Sequence, residues 1–134
     1  MIVIYPVSPN QRRKFEIQNF ADTAFHSKVI TQAARIIKDF RNYHWQFCEI
    51  EQPVRSSFFY PTAPPRLTLV HPYTLEQIAA NNVLTGMIST SYALQAEIDR
   101  GKAFYRDKFM ALKQITSEYA DESDQVAAFL LMID

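Results

Sequence analysis

The sequence predicts an α+β fold: a three- or four-stranded, mainly antiparallel sheet with helices packed on one face. Two patterns carry that reading. From Tyr43, "YHWQFCEI" alternates apolar and polar side chains with period two, as half-buried strands do, and opens a meander over about 43–71. The segments on either side place apolar residues at helical spacing. Composition agrees, because 134 residues that are 48% hydrophobic and 13% aromatic form a single domain, 1–134, able to bury a core without disulfides or a metal.

The elements follow in order. Residues 2–6, ending in Tyr5-Pro6, are a candidate edge strand. Ser8-Pro9-Asn10-Gln11 has the form of a helix start, with a capping serine, a proline in the first turn and a glutamine completing a capping box. Helical spacing then runs to about Asn42, but its apolar face moves. Ile17, Phe20, Ala21 and Ala24 share one side, and Val29, Ala33, Ile36, Ile37 and Phe40 the other. A break between Asp22 and Ser27 accounts for this, with a single helix buried on both sides as the alternative. Tyr43, Trp45 and Phe47 alternate with His44, Gln46 and Cys48 in a first central strand. "RSSFFY" and "RLTLV" supply two more strands, and the prolines Pro61, Pro64 and Pro65, which lack a ladder donor, read as their connection.

Thr74-Leu75-Glu76-Gln77 reads as a second capping box, opening a helix that Gly101 ends. Its stripe is Ala80, Val83, Leu84, Met87, Ser91, Leu94 and Ile98. Gly86 costs that helix about 1 kcal/mol against alanine, which points to close approach of another backbone. A last helix buries Tyr105, Phe109, Leu112, Ile115 and Tyr119. After the acidic "ADESD", Ser123 or Asp124 can cap a further apolar turn, "QVAAFLLMI".

Several function classes are disfavoured by what the chain contains. Two distant glycines cannot form a phosphate loop or a dinucleotide fingerprint. One cysteine and three histidines are too few for a zinc site of the usual kind, and no metal or other cofactor is expected. His44 and Cys48 fall on one side of a strand, with His71 within reach from a neighbour, but a buried thiol beside a surface histidine explains them without catalysis. Glu49 and Glu51 read as solvated. No apolar run reaches the ~20 residues of a membrane span. The lone Cys48 and a start without a basic leader give a reducing, cytoplasmic setting as the expectation. Net charge is zero, yet residues 1–70 hold nine Lys/Arg against five Asp/Glu, and residues 71–134 hold five against nine. Arg12-Arg13-Lys14 and a helix face carrying Lys28, Arg35, Lys38 and Arg41 concentrate the positive half.

"FFYPTAPPRLTL" followed by His71-Pro72 resembles part of the ubiquitin-conjugating enzyme and RWD superfamily. There a strand leads into Tyr-Pro-x-x-Pro-Pro, another strand follows, and the conjugating enzymes then show His-Pro-Asn. The match covers Tyr60, Pro61, Pro64, Pro65 and, after a shorter gap, His71-Pro72. It implies a helix, a continuous meander, the proline turn and further helices. Tyr73 replaces the asparagine and no cysteine follows, so the resemblance implies an inactive scaffold. Pro61-Thr62-Ala63-Pro64 also spells the late-domain motif that recruits endosomal sorting machinery.

By elimination, the chain reads as a small non-enzymatic protein that binds another protein: an inhibitor, immunity or adaptor factor, with a mobile element as one setting. Contact is expected through Phe58, Tyr60, Pro61, Thr62, Ala63, Pro64 and Pro65, where prolines preorganise the loop and rings supply area. A homodimer through that surface, a nucleic-acid binder on the basic face and the inactive conjugating-enzyme-like scaffold stay open.

Overall fold

The structure is a computed structural model and describes residues 2–52 and 54–120. The described residues form an α+β fold, with two antiparallel sheets and four helices packed against them. The first sheet has the order β1 (Val3–Pro6), β2 (Trp45–Gln52), β3 (Ser56–Pro61). The second pairs β4 (Arg66–Val70) with β5 (Gln77–Asn81). The apolar turn expected over 125–133 lies outside the described residues.

The helical first third breaks as its shifting stripe requires. A 3-10 turn at Pro9–Gln11 leads into α1 (Arg12–Phe20), and α2 runs over Phe25–Ile36. Ser8 makes no capping bond; its hydroxyl donates to Asn10 Oδ1 instead. The break falls at residues 21–24, where Ala21 takes a left-handed φ of 53° and Asp22 Oδ1 accepts the Ala24 N–H at 2.8 Å. α2 stops short of the expected Asn42. Ile37 is extended and bridges Leu69, and Lys38 N–H donates to the Thr68 carbonyl. Phe15, Phe20, Phe25, Phe47 and Phe59 form the aromatic heart of the core, with Phe20 and Phe25 stacked at 4.2 Å.

Two expectations are corrected. Residues 74–77 do not start a helix. Ile78 and Ala80 point inward against Leu69 and Leu67, so pairing with β4 overrides the helical character of "QIAAN". The helix α3 (Asn82–Asp99) starts seven residues later than the Thr74 box predicts, capped by Asn81 Oδ1 accepting Leu84 N–H at 2.7 Å. Nor does the proline segment join two paired strands, since β4 pairs with β5 and not with β3. The reason lies in α3, which occupies the outer edge of β3. Phe59 N–H donates to Thr90 Oγ1 at 3.2 Å, and Gly86 lies so close that a Cβ there would collide with the Phe59 carbonyl and the Tyr60 Cα and Cβ. The close approach expected at Gly86 is therefore with β3. Along α3 every residue from Leu84 to Leu94 is buried. Finally, α4 (Arg106–Tyr119) covers the core with Phe109, Leu112 and Ile115, preceded by buried Tyr105, whose hydroxyl donates to the Phe20 carbonyl.

Candidate functional site

The proline loop and part of the basic face meet in one cleft. The loop leaves β3 at Pro61 and is held at both ends. Thr62 N–H donates to the His44 carbonyl at 2.8 Å and Asn82 N–H to the Pro65 carbonyl at 3.1 Å, while Asn82 Nδ2 donates to the Thr62 carbonyl. The Ala63–Pro64 peptide is cis. Between these anchors Thr62, Ala63, Pro64 and Pro65 are exposed. Their backbone is thus fixed before any partner arrives, which limits the entropy lost on binding.

Across from the loop runs the chain leaving α2. Its turn is made at Asp39, whose φ of 57° is one that aspartate tolerates better than most residues. The cleft between the two, of about 240 Å³, is lined by Lys38, Asp39, Arg41, Tyr43, Pro64 and Arg66, with Leu67 and Thr68 completing it. Three cations thus face one carboxylate, and among the described residues no ion pair engages any of the three. Tyr43 is braced edge-on by Phe40 at 5.4 Å. Arginine and tyrosine around a rigid proline are the residue types that protein interfaces favour, and the excess positive charge suits an acidic surface. Arg66 and Tyr43 were missed from sequence. The signal for Arg66 was a cation directly after the prolines.

The remaining residues singled out from sequence are placed as follows. Phe58 is fully buried and Pro61 is buried, so both support the loop from beneath. Tyr60 is half-buried and stacks on Phe58 at 5.9 Å; burial pushes its hydroxyl pKa up. Lys28 lies apart from the cleft, paired with Asp22 at 2.8 Å and Glu97 at 3.4 Å. Arg35 donates to Gln32 Oε1. His44 is exposed ahead of β2 while Cys48 is buried, and burial pushes the thiol up to about 12, so no thiolate forms at neutral pH. His71 is buried in the β4–β5 turn, where its Nδ1 accepts the N–H groups of Tyr73 and Thr74 at 3.1 and 3.2 Å. Burial pushes its pKa down, partly offset by Glu76. Glu49 and Glu51 are exposed. Among the described residues no cluster of three or more His, Cys, Asp or Glu is placed to hold a metal, and no helix is long and apolar enough to cross a membrane.

The sequence matches no protein-family model and no curated protein. Among solved structures the chain is similar to one of the KlcA and ArdB proteins. The TM-score is 0.74 at 18% identity, covering 99% of this chain and 95% of the other. Those proteins are described as showing a novel fold and antirestriction activity against Type I DNA restriction systems in vivo but not in vitro. At that identity the likeness establishes a shared fold. The pairing of β4 with β5 departs from the meander that the conjugating-enzyme resemblance implies.

Proposed function

We propose that this chain is an antirestriction protein: a small, non-enzymatic inhibitor, of the kind mobile elements carry, that blunts a Type I DNA restriction system in the cytoplasm by binding a protein. The observation that carries the reading is the likeness to KlcA and ArdB over nearly the whole of both chains. The cleft supports it, because a fixed proline loop beside Lys38, Arg41 and Arg66 suits contact with an acidic protein surface. Cys48, the one candidate nucleophile in the dyad, is held as a buried thiol.

The test is phage plating on cells that carry a Type I system and express the chain, with a restriction-deficient strain and pre-modified phage as controls. Unmodified phage should plate at an efficiency approaching that of modified phage, and modified phage should be unaffected. Reversing the cleft charges together (Lys38→Glu, Arg41→Glu, Arg66→Glu) should return plating to the empty-vector value, while the variant still unfolds cooperatively. Restriction that continues undiminished at full expression of the folded wild-type chain would refute the antirestriction reading. Full activity in the triple variant would remove the cleft from it.

A further inference from the structure

A second concentration of cations lies beside Phe47 of β2, where α1 meets α2. Arg12 and Arg13 open α1, and the cleft's charge does not involve them. Together with Pro9, Glu16, Thr23, His26 and Phe47 they line an open groove of about 640 Å³.

The side chains there are fixed by what lies beneath. Glu16 is 3% exposed, and its carboxylate accepts from both the backbone N–H and ring Nδ1 of His26, each at 3.0 Å. A carboxylate only accepts, so Nδ1 carries a hydrogen and the other ring nitrogen, Nε2, is left for the groove. The His26 ring also lies 5.5 Å from the Phe47 ring. Arg12 stacks its guanidinium over Phe47 at 4.8 Å and donates one Nη to the Trp45 carbonyl. Its Nε is buried and has no hydrogen-bond partner among the described residues. Arg13 is exposed and forms no ion pair among the described residues. The groove's one carboxylate is thus consumed in orienting His26, while two guanidinium groups, an imidazole and the Thr23 hydroxyl remain to face a ligand.

We propose that this groove binds a phosphate group of a phosphate ester, with Arg12 and Arg13 as charged donors and His26 and Thr23 as hydrogen-bonding partners. Guanidinium groups match the planar pairs of phosphate oxygens, and the Glu16-oriented imidazole, in the form with both ring nitrogens protonated, donates to a further oxygen from Nε2. A carboxylate ligand would use fewer of these donors. Two sources carry the same chemistry: a small phosphate ester such as a nucleotide, or the backbone of a nucleic acid. The groove is distinct from the proline-loop cleft and does not depend on the antirestriction reading.

The experiment follows backbone amide NMR shifts of the folded chain during titration with inorganic phosphate, adenosine monophosphate and a short single-stranded DNA, against sodium chloride at matched ionic strength. Saturable shifts confined to residues 12, 13, 23 and 26 are expected. Arg13→Gln, at an exposed position, should weaken binding by roughly 10-fold, and His26→Gln by roughly 3- to 10-fold. Stronger binding of the DNA, falling with salt at a slope of about −0.7 for each phosphate neutralised, would assign the site to a nucleic-acid backbone. Equal or stronger binding of the mononucleotide would assign it to a small ester. Shifts that chloride reproduces, shifts that survive unchanged in both variants, or no saturation by any phosphate would overturn the proposal.

Discussion

Gly86→Ala is the substitution for which helix propensity and packing predict opposite signs. In an exposed helix the change would stabilise by about 1 kcal/mol. Here the new Cβ overlaps the Phe59 carbonyl and the Tyr60 Cα, which belong to backbone and cannot rotate aside. Moving α3 off β3 to relieve this costs about 1–3 kcal/mol for overpacking, and stretches the Phe59–Thr90 hydrogen bond, worth about 1 kcal/mol. Packing should therefore win, with a net loss of about 2 kcal/mol. Urea unfolding followed by far-ultraviolet circular dichroism should show the midpoint falling by about 1 M, given a slope of about 2 kcal/mol/M for a chain of this size. The other glycine is the control. Gly101 has open space around its missing Cβ but a φ of 98°, so Gly101→Ala should lose about 1–2 kcal/mol through backbone strain alone. A Gly86→Ala protein as stable as wild type, or more so, would refute the close packing of α3 on β3.

Two further outcomes are expected. Among the described residues Lys108 donates to neutral oxygens, Ser57 Oγ at 2.8 Å and Asn19 Oδ1 at 3.4 Å, and burial pushes its amine down to about 8 despite Glu49. Between about 8 and 10.5 the unfolded chain holds a proton that the folded chain has released. Stability should therefore rise with pH across that window, by at most about 3 kcal/mol, and Lys108→Met should abolish the rise and stabilise the protein at pH 7. Urea midpoints at pH 7, 9 and 10.5 check it, and a flat wild-type profile would contradict the burial. Glu97, 2% exposed, binds Lys28, Arg100 and Lys102 at 3.4, 2.9 and 2.9 Å. Burial pushes its pKa up, but the bonds and charges of Lys102 and Lys28 outweigh that and hold it below its ordinary 4.5. Its contribution is present above 4.5 and lost as pH falls through the lowered value. Glu97→Gln should cost about 1–3 kcal/mol at pH 7, less than a fully buried triad because the cations keep contact with water, and the difference from wild type should vanish in acid.

What the sequence made legible was whatever one strand or one helix face encodes by itself. "RLTLV" is β4 to the residue, and Tyr105, Phe109, Leu112 and Ile115 form the buried side of the last helix as their spacing required. Gly86 announced a close contact because nothing local rewards a glycine in mid-helix. Apart from the Ser8 cap, whose hydroxyl bonds Asn10 instead, the failures were non-local. "QIAAN" has the composition of a helix, and only its partner β4 makes it a strand. Phe58 looked like a ring for a partner because period two assigns adjacent residues of a strand to opposite faces. In β3 both faces are buried, so Phe58 and Phe59 are equally enclosed. The cleft escaped for the same reason: Lys38 and Arg41 are some 25 residues from Arg66, and no spacing rule joins a helix exit to a strand start.

The separation of the two sheets and the existence of the cleft have one cause. A strand edge left open invites another strand, and the next strand along this chain is β4. Gly86 and Thr90 close that edge from α3, the glycine by letting the helix backbone approach and the threonine by satisfying Phe59 N–H. Denied that edge, β4 turns away through the proline loop and pairs with β5 and, at Leu69, with the extended Ile37. That pairing lays Lys38 beside Thr68 and brings Arg41 and Tyr43 opposite Pro64 and Arg66. The loop is rigid and the cations converge because a helix, rather than a fourth strand, completes the first sheet. A chain in which β4 continued the meander would keep every residue of the cleft and lose the cleft itself.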